Sequence, residues 1–256
     1  SDLLEVAEIG GRAAEGRPLA PTSSVDQARA DQVSRKTALV LSGGGARGAY
    51  EAGVVAYLRE DLQPRLGRPL TLDILCGTSV GAITACVLAS TAHRPAEQGA
   101  VLRELWCRMQ LEDVLRVRTA DVGRALWELG GGGLVDPSGL RRLLLRQVSW
   151  PSIGRNLRSR RLAALCVSTT RVSDGKSCLF IQRAPGEPHL WIDDPRLEVD
   201  AARISARHAL ASAAMPLLFA PVELGGQLHV DGGLRLNVPL SPALWLGAER
   251  VIVISM

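Results

Sequence analysis

Short apolar runs alternate with stretches of helical periodicity along most of this 256-residue chain. Apolar runs of four to eight residues bounded by turn residues predict buried strands. These runs are TALVL (37–41), LDILC (72–76), RLAALCVST (161–169), SCLFIQ (177–182) and RVIVIS (250–255). The segment PVELGGQLHVDGG (221–233) has two glycines between two short runs, which predicts a hairpin.

Apolar side chains at helical spacing separate these strands. The spacing begins at Gly48 and continues through Ala52, Val55, Leu58 and Leu62. It returns in AITACVLAS (82–90), from Leu102 to Met109, from Leu140 to Val148, and in AARISARHALASAA (201–214). Strands that alternate with helices predict an α/β three-layer sandwich with a mainly parallel central sheet.

The two ends of the chain differ from this pattern. Residues 1–35 are rich in Ala, Gly, Pro, Ser and charge, which predicts a flexible N-terminal lead or linker before one domain at 36–256. The chain begins with Ser and stops directly after a strand-like run, so we expect a piece of a longer protein, truncated at its C-terminus.

One uncharged run, residues 74–92, approaches the length of a transmembrane helix. Gly77, Thr78, Ser79 and Gly81 near its start disfavour a continuous span. We therefore interpret the run as a strand, a turn and a buried helix.

Composition narrows the function classes. The 30 Lys and Arg against 26 Asp and Glu leave a net charge of +4, and aromatic residues are 4% of the chain. This balance does not indicate nucleic-acid binding. The five cysteines are odd in number and form no CxxC pair, which predicts buried free thiols in a reducing compartment, and no metal or cofactor is predicted.

Arginines fall in two groups. Arg141, Arg142 and Arg146 share one helix face, and a second group contains Arg155, Arg158, Arg160 and Arg161. Each group either solvates the surface or supports reversible adsorption to an anionic membrane.

The glycine run LSGGGARGAYEAGVV (41–55) fits two chemistries. Gly43, Gly45 and Gly48 match GxGxxG, the spacing of a dinucleotide-binding turn, and the same run could hold free amides for an oxyanion. A Walker A loop needs Lys and Ser or Thr where this chain has Ala49 and Tyr50. A dinucleotide site needs an acid at the end of the second strand, where Cys76 and Gly77 stand. Both absences disfavour a nucleotide.

The sequence GTSVG (77–81) is GxSxG between a predicted strand and a predicted helix. This context predicts a nucleophile elbow, with the Ser79 hydroxyl exposed at the sheet edge. The alternative is an ordinary serine N-cap.

A nucleophilic serine needs a base. The histidines are His93, His189, His208 and His229, and none stands in the late position after an acid that a Ser-acid-His triad requires. Asp231 ends a predicted strand before two glycines, which would bring its carboxylate to the sheet edge. An Asp-Gly hairpin turn is the alternative.

Taken together, GGGARG, GTSVG and DGG (231–233), in that order, resemble the patatin-like phospholipases, serine acyl hydrolases with a Ser-Asp dyad. The resemblance runs from about Lys36 to Met256 and includes AMPLLFAPV (214–222) and NVP (237–239). The family often has Asp where this chain has Ser42.

The resemblance implies a patatin-like fold and assigns roles to residues. Ser79 would be the nucleophile, with Gly77, Thr78, Val80 and Gly81 as its elbow. Asp231 would be the base, with Gly232 and Gly233 in its loop. The oxyanion hole would lie in the glycine loop, whose members are Gly43, Gly44, Gly45, Ala46, Arg47 and Gly48. Arg47 is expected to pin that loop through its guanidinium.

We therefore expect a cytoplasmic or peripheral membrane enzyme that cleaves ester bonds of phospholipids or lysophospholipids in a membrane or micelle. A catalytically silent lipid-binding or regulatory module with the same fold is the alternative. The sequence leaves the head group, the acyl position and the oligomeric state undefined.

Overall fold

A computed structural model describes residues 4–8, 35–108, 116–117, 133–187, 192 and 194–256. Its strands are β1 (Leu4–Glu8), β2 (Thr37–Leu41), β3 (Ile74–Thr78), β4 (Arg116–Val117), β5 (Val135–Asp136), β6 (Ala164–Arg171), β7 (Ser177–Arg183), β8 (Leu197–Ala201), β9 (Val222–Leu224), β10 (Gln227–Asp231) and β11 (Arg250–Ile254). Its α-helices are α1 (Gly48–Tyr57), α2 (Val80–Ser90), α3 (Gln98–Arg108), α4 (Ser138–Gln147), α5 (Trp150–Arg158), α6 (Ala206–Ser212) and α7 (Leu240–Trp245). Helix α1 continues as a π turn over Leu58–Leu62 and a last helical turn over Gln63–Arg65.

The main sheet has the strand order β1-β11-β2-β3-β6-β10-β9, with β7 paired to β6 and β8 paired to β7. The central strands β11, β2, β3 and β6 are parallel, and β1 and the hairpin β9-β10 add antiparallel strands at the ends. The predicted α/β fold with a mainly parallel central sheet is confirmed.

Alternation along the central strands divides the core between the two faces of the sheet. In β2, Leu39 and Leu41 belong to the larger cluster, which the helices α1 to α6 cover. Ala38 and Val40 belong to the smaller cluster, together with Ala243 of α7 and Leu246 just after it. Helices therefore lie on both faces, and the sheet is the middle layer.

Pairing with strand β6 brings the carboxyl ends of β3 and β10 together. Strand β7 occupies one edge of β6 from Ala164 to Thr170, so β3 and β10 must share the other edge. Strand β3 runs parallel to β6 and ends with Thr78 opposite Ser168. Strand β10 runs antiparallel and ends with Asp231 opposite Thr169, the next residue of β6. The ends of β3 and β10 therefore meet head to head.

Several elements differ from the prediction, and helices α5 and α7 and the short strands β4 and β5 match no predicted element. The sequence predicts no strand in the N-terminal lead, yet Leu4–Glu8 pairs antiparallel with β11. Strand β8 was also missed, because its sequence LEVDA alternates too briefly between apolar and acidic residues. The helix predicted over 201–214 is limited to Ala206–Ser212, because Ala201 belongs to β8 and Ser205 caps the helix. Met109 of the predicted third helix lies outside the described residues.

The uncharged run 74–92 forms strand β3, the turn at Ser79 and helix α2, as predicted. Within the described part of the chain, no helix is long and apolar enough to cross a membrane.

Candidate active site

Ser79 sits on a sharp turn between β3 and α2. Its backbone has φ 55° and ψ −123°, a conformation that side chains with a Cβ rarely adopt. Gly77 and Gly81 make the turn possible by close approach: a Cβ on Gly77 would run into the backbone of Gly81, and a Cβ on Gly81 would run into the Leu41 carbonyl. This is the geometry predicted for a nucleophile elbow.

Three neighbouring elements hold the elbow in place. The Ser79 backbone N–H donates to Ser212 Oγ at 2.8 Å, and Ser212 Oγ donates to the Ser168 carbonyl at 2.6 Å. The Thr78 hydroxyl is hydrogen-bonded to Ser168 Oγ and donates to the Leu236 carbonyl at 2.9 Å. Helix α6, strand β6 and the loop after Asp231 therefore fix the strained turn, which offsets its cost.

Ser79 and Asp231 form a direct hydrogen bond. Ser79 Oγ donates to Asp231 Oδ2 at 2.6 Å, and the Gly233 backbone N–H donates to Asp231 Oδ1 at 2.7 Å. The sequence predicts an exposed Ser79 hydroxyl, but Ser79 is only 6% exposed, because the head-to-head ends of β3 and β10 enclose it.

Burial changes the acid-base chemistry of Asp231. The residue is 5% exposed, and this desolvation raises the pKa of its carboxyl above the ordinary value, while the hydrogen bonds from Ser79 and Gly233 act in the opposite direction. Backbone contacts fix the position: the Asp231 N–H donates to the Ala214 carbonyl at 2.9 Å, and Thr170 Oγ1 donates to the Asp231 carbonyl at 3.0 Å. A carboxylate with raised proton affinity is a better base for a serine hydroxyl.

Gly232 is also a close-approach glycine, because a Cβ there would collide with the Ser168 carbonyl. Gly232 therefore lets the backbone turn after Asp231 while it stays packed against strand β6.

The glycine loop lies directly beside Ser79. A Cβ on Gly43 would stand 3.2 Å from the Ser79 Cβ, and a Cβ on Gly48 would overlap Val80 and Trp106. The Gly43 N–H donates to the Asn237 carbonyl at 3.1 Å, the Arg47 N–H to the Gly44 carbonyl at 3.2 Å, and the Gly48 N–H to the Gly45 carbonyl. Among the described residues, the amides of Gly44, Gly45 and Ala46 have no acceptor, so these three are available to a substrate oxygen.

The expected pinning role of Arg47 is not seen. Its side chain is exposed and makes no hydrogen bond or ion pair with a described residue. Hydrogen bonds at Ser42 hold the start of the loop instead: the Ser42 N–H donates to the Ile254 carbonyl, and the Ser42 side-chain Oγ accepts the Met256 N–H at 3.0 Å. Ser42, where the family often has Asp, is buried and ties the loop to the chain after β11.

Leu236 and Asn237 were missed as site residues, although NVP was recognised as a motif. The Leu236 N–H donates to the Gly232 carbonyl, its carbonyl accepts Thr78 Oγ1, and the Asn237 carbonyl accepts the Gly43 N–H. These two residues therefore join the acid loop, the elbow and the glycine loop. The Asn237 side chain lies between Gly43 and Gly233, where a Cβ on either glycine would approach it.

None of the described histidines joins the dyad. His229 Nδ1 contacts Thr169 Oγ1 at 3.0 Å, and His208 caps helix α6 through Ser205. Both line a separate cleft of about 520 Å³ with Phe180, and burial lowers the pKa of each imidazole, for His208 to about 4. His93 is exposed, and His189 lies outside the described residues.

The predicted buried thiols are seen at Cys76, Cys86, Cys166 and Cys178, whereas Cys107 is exposed. All five cysteines are free. No group of three or more His, Cys, Asp or Glu residues in the described ranges is arranged to hold a metal ion.

Comparisons with known proteins place the chain in a family. The family model for patatin-like phospholipases matches residues 39–244. A cGAMP-activated phospholipase from Pseudomonas aeruginosa is 32% identical over 204 residues, which cover 78% of this chain and 53% of that protein. A cGAMP-activated phospholipase from Vibrio cholerae is 29% identical over 221 residues, 78% of this chain and 54% of that protein.

Two further matches have lower sequence identity. Lysophospholipase NTE1 from Debaryomyces hansenii is 22% identical over 227 residues, which cover 85% of this chain and 12% of that protein. Among solved structures, VipD from Legionella pneumophila aligns with a TM-score of 0.44 and 17% identity, over 78% of this chain and 46% of that one. The chain spans about half the length of the two bacterial phospholipases that it matches. The chain belongs to the patatin-like phospholipase family, a family of lipid acyl hydrolases.

Proposed function

We propose that this protein hydrolyses carboxylic ester bonds of phospholipids or lysophospholipids through an acyl-enzyme on Ser79, with Asp231 as the base. The observation that carries the proposal is the 2.6 Å hydrogen bond from Ser79 Oγ to a buried Asp231 carboxylate of raised pKa. The strained elbow and the free amides beside it support the same reaction.

In the first step, Ser79 Oγ attacks the ester carbonyl carbon and its proton passes to Asp231 Oδ2. The carbonyl oxygen becomes an oxyanion, which the amides of Gly44, Gly45 and Ala46 would stabilise. One good oxyanion donor contributes about 3 kcal/mol to such a step. Asp231 then protonates the leaving alcohol oxygen as the ester bond breaks, and the acyl group remains on Ser79.

In the second step, a water molecule attacks the acyl carbon and gives its proton to the same carboxylate. The fatty acid leaves, Ser79 Oγ recovers the proton, and the dyad returns to its starting state. No residue outside the dyad is needed as an acid or base.

Intact-protein mass after incubation with a fluorophosphonate tests the proposal. We expect one adduct on the unmodified chain, none on Ser79→Ala, and labelling slower by at least about 100-fold on Asp231→Asn, the scale of general-base catalysis. Hydrolysis of a soluble short-chain ester should fall in parallel.

His229→Gln is the matched control, because His229 is buried on the same strand two residues before Asp231. It should keep both labelling and hydrolysis. Absence of any adduct on the unmodified chain would favour the silent lipid-binding module, and loss of labelling in a folded His229→Gln protein would favour a triad.

A further inference from the structure

Four large apolar side chains are exposed on three chain segments near the dyad. Leu134 is 40% exposed, Met215 42%, Leu217 79% and Leu234 57%. We call these four residues the apolar rim. A single exposed leucine is ordinary on a protein surface, but several on converging segments indicate a surface with a partner.

Backbone hydrogen bonds tie each segment to the site. The Asp231 N–H donates to the Ala214 carbonyl, and Met215 follows directly. Leu234 closes the short turn Gly232–Leu234 that begins after Asp231. The Leu134 N–H donates to the Leu217 carbonyl at 3.1 Å, which joins the third segment to the second. The apolar rim therefore lies beside the catalytic edge of the sheet.

Leu217 is the most exposed member and has an unfavourable backbone. Its φ of 71° lies in the left-handed region, where asparagine and glycine are far better tolerated than leucine. Hydrogen bonds on both sides fix it, from the Phe219 N–H to the Met215 carbonyl and from the Val135 N–H to the Leu218 carbonyl. An apolar side chain held rigidly in water on a strained backbone points to a function for that side chain.

The larger arginine group, Arg155, Arg158, Arg160 and Arg161, lies at the end of the sheet opposite the dyad. Asn156, next to Arg155, donates to the carbonyls of Ala89 and Ser90 at the C-terminal end of α2. Ser79 precedes the N-terminal end of that 11-residue helix, about 16 Å away at 1.5 Å per residue. Arg160 and Arg161 precede β6 at its amino end. A bilayer bound by these arginines would not face the dyad.

We propose that the apolar rim inserts into the lipid surface and places the dyad at the level of the ester bonds. This inference rests on the proposed function, because it takes a lipid layer as the source of the substrate. Arg141 and Arg142 are exposed in the first turns of α4, a few residues after Leu134, and suit anionic head groups beside the rim.

The test separates binding from chemistry. On the Ser79→Ala background, Leu217→Asn should lower co-sedimentation with vesicles of equimolar phosphatidylcholine and phosphatidylglycerol about tenfold, since burial of one leucine side chain has at least that effect on a partition constant. With Ser79 intact, Leu217→Asn should slow vesicle hydrolysis similarly and leave hydrolysis of soluble p-nitrophenyl butyrate within about twofold.

Asparagine tolerates the backbone of Leu217, and Leu217→Gly serves as a second variant that removes the whole side chain. Tyr57→Gln is the matched control, because Tyr57 is 44% exposed at the far end of α1, about 14 Å from the glycine loop. A variant with Arg155, Arg158, Arg160 and Arg161 changed to Gln tests whether the arginine group at the opposite end of the sheet binds the vesicles.

Unchanged vesicle binding in both Leu217 variants would overturn the inference. So would an equal loss on vesicles and on the soluble ester, or a selective loss in the arginine variant alone. If neither substrate is hydrolysed by the unmodified chain, the proposed reaction fails, yet the co-sedimentation of the Ser79→Ala proteins still decides whether the apolar rim binds lipid.

Discussion

At the scale of the residue, the backbone conformation of Ser79 lowers the stability of the fold, whereas the proposed reaction requires a serine there. Its φ and ψ suit glycine, and the Cβ that carries the hydroxyl makes them costly. The sequence GTSVG predicts the turn, whereas the size of the strain depends on the angles that the surrounding hydrogen bonds impose.

We predict that Ser79→Gly is more stable than Ser79→Ala by roughly 1 kcal/mol, after the greater unfolded-state entropy of glycine is included. Both variants lose the same hydrogen bond to Asp231, so that bond does not contribute to the difference. Urea unfolding of the two inactive proteins measures it. Equal stability, or a more stable alanine variant, would contradict a strained elbow.

Asp231 gives a prediction about pH and rate. Because its pKa is raised by burial, the carboxyl takes up a proton at a higher pH than an ordinary aspartate, and the protonated form cannot accept the Ser79 proton. Activity should therefore be lost as pH falls, with an acid limb of kcat/KM above the ordinary value of about 3.9. A pH profile with a soluble ester checks this, and His229→Gln should leave the limb in place.

The titration of Asp231 affects stability in the opposite direction: activity is lost as pH falls, whereas stability is lost as pH rises. A carboxyl whose pKa is raised on folding contributes stability at acid pH, and this contribution is lost as pH rises through the raised value. Asp231→Asn should therefore be at least as stable as the unmodified chain at neutral pH, although the proposed mechanism predicts that it is inactive. This exchange of stability for activity is typical of catalytic groups.

At the scale of the element, helices α1 and α2 begin at the glycine loop and at the elbow, and a buried carboxyl joins them. Thr84 Oγ1 of α2 donates to Glu51 Oε2 of α1 at 2.6 Å, and Glu51 is fully buried. Its other oxygen has no partner among the described residues. Desolvation raises the pKa of Glu51 to about 8, so the carboxyl is protonated at neutral pH.

We predict that Glu51→Gln stabilises the protein in a pH-dependent way. The unfolded chain ionises Glu51 near its ordinary pKa, and the folded chain ionises it only near 8, so the unmodified protein loses stability as pH rises between these values. The advantage of Glu51→Gln should grow over the same window by at most about 1.4 kcal/mol per pH unit. Urea unfolding from pH 5 to pH 9 measures it, and a constant difference between the two proteins would contradict the assignment.

At the scale of the whole molecule, the two ends of the sheet carry different surfaces: the end with the candidate site is apolar, and the opposite end carries arginines. The glycine loop, the elbow and the acid loop meet at the carboxyl ends of β2 and β3, as in other parallel sheets whose sites lie at that edge. The exposed apolar rim lies there too, whereas Arg160 and Arg161 lie at the amino end of β6. Strand order therefore determines which surface can face a substrate layer.

The sequence by itself determined the central strands and the places of the glycine loop and the elbow. Thr37–Leu41 is the predicted strand, Gly48 begins the predicted helix, and GTSVG forms the predicted turn, because these signals are local steric and periodic ones. Strand β8 was not predicted, since its five alternating residues are too short a signal and its pairing with β7 is not a local feature.

Only the tertiary structure decided how Ser79 and Asp231 meet. The two residues are 152 positions apart, and no local pattern specifies that β3 and β10 share one edge of β6 and end at adjacent residues. The same pairing buries the hydroxyl that the sequence was expected to expose, and the distant Asn237 carbonyl takes up the amide of Gly43. Burial and hydrogen-bond partners come from contacts between distant segments, and these contacts exist only after the sheet has formed.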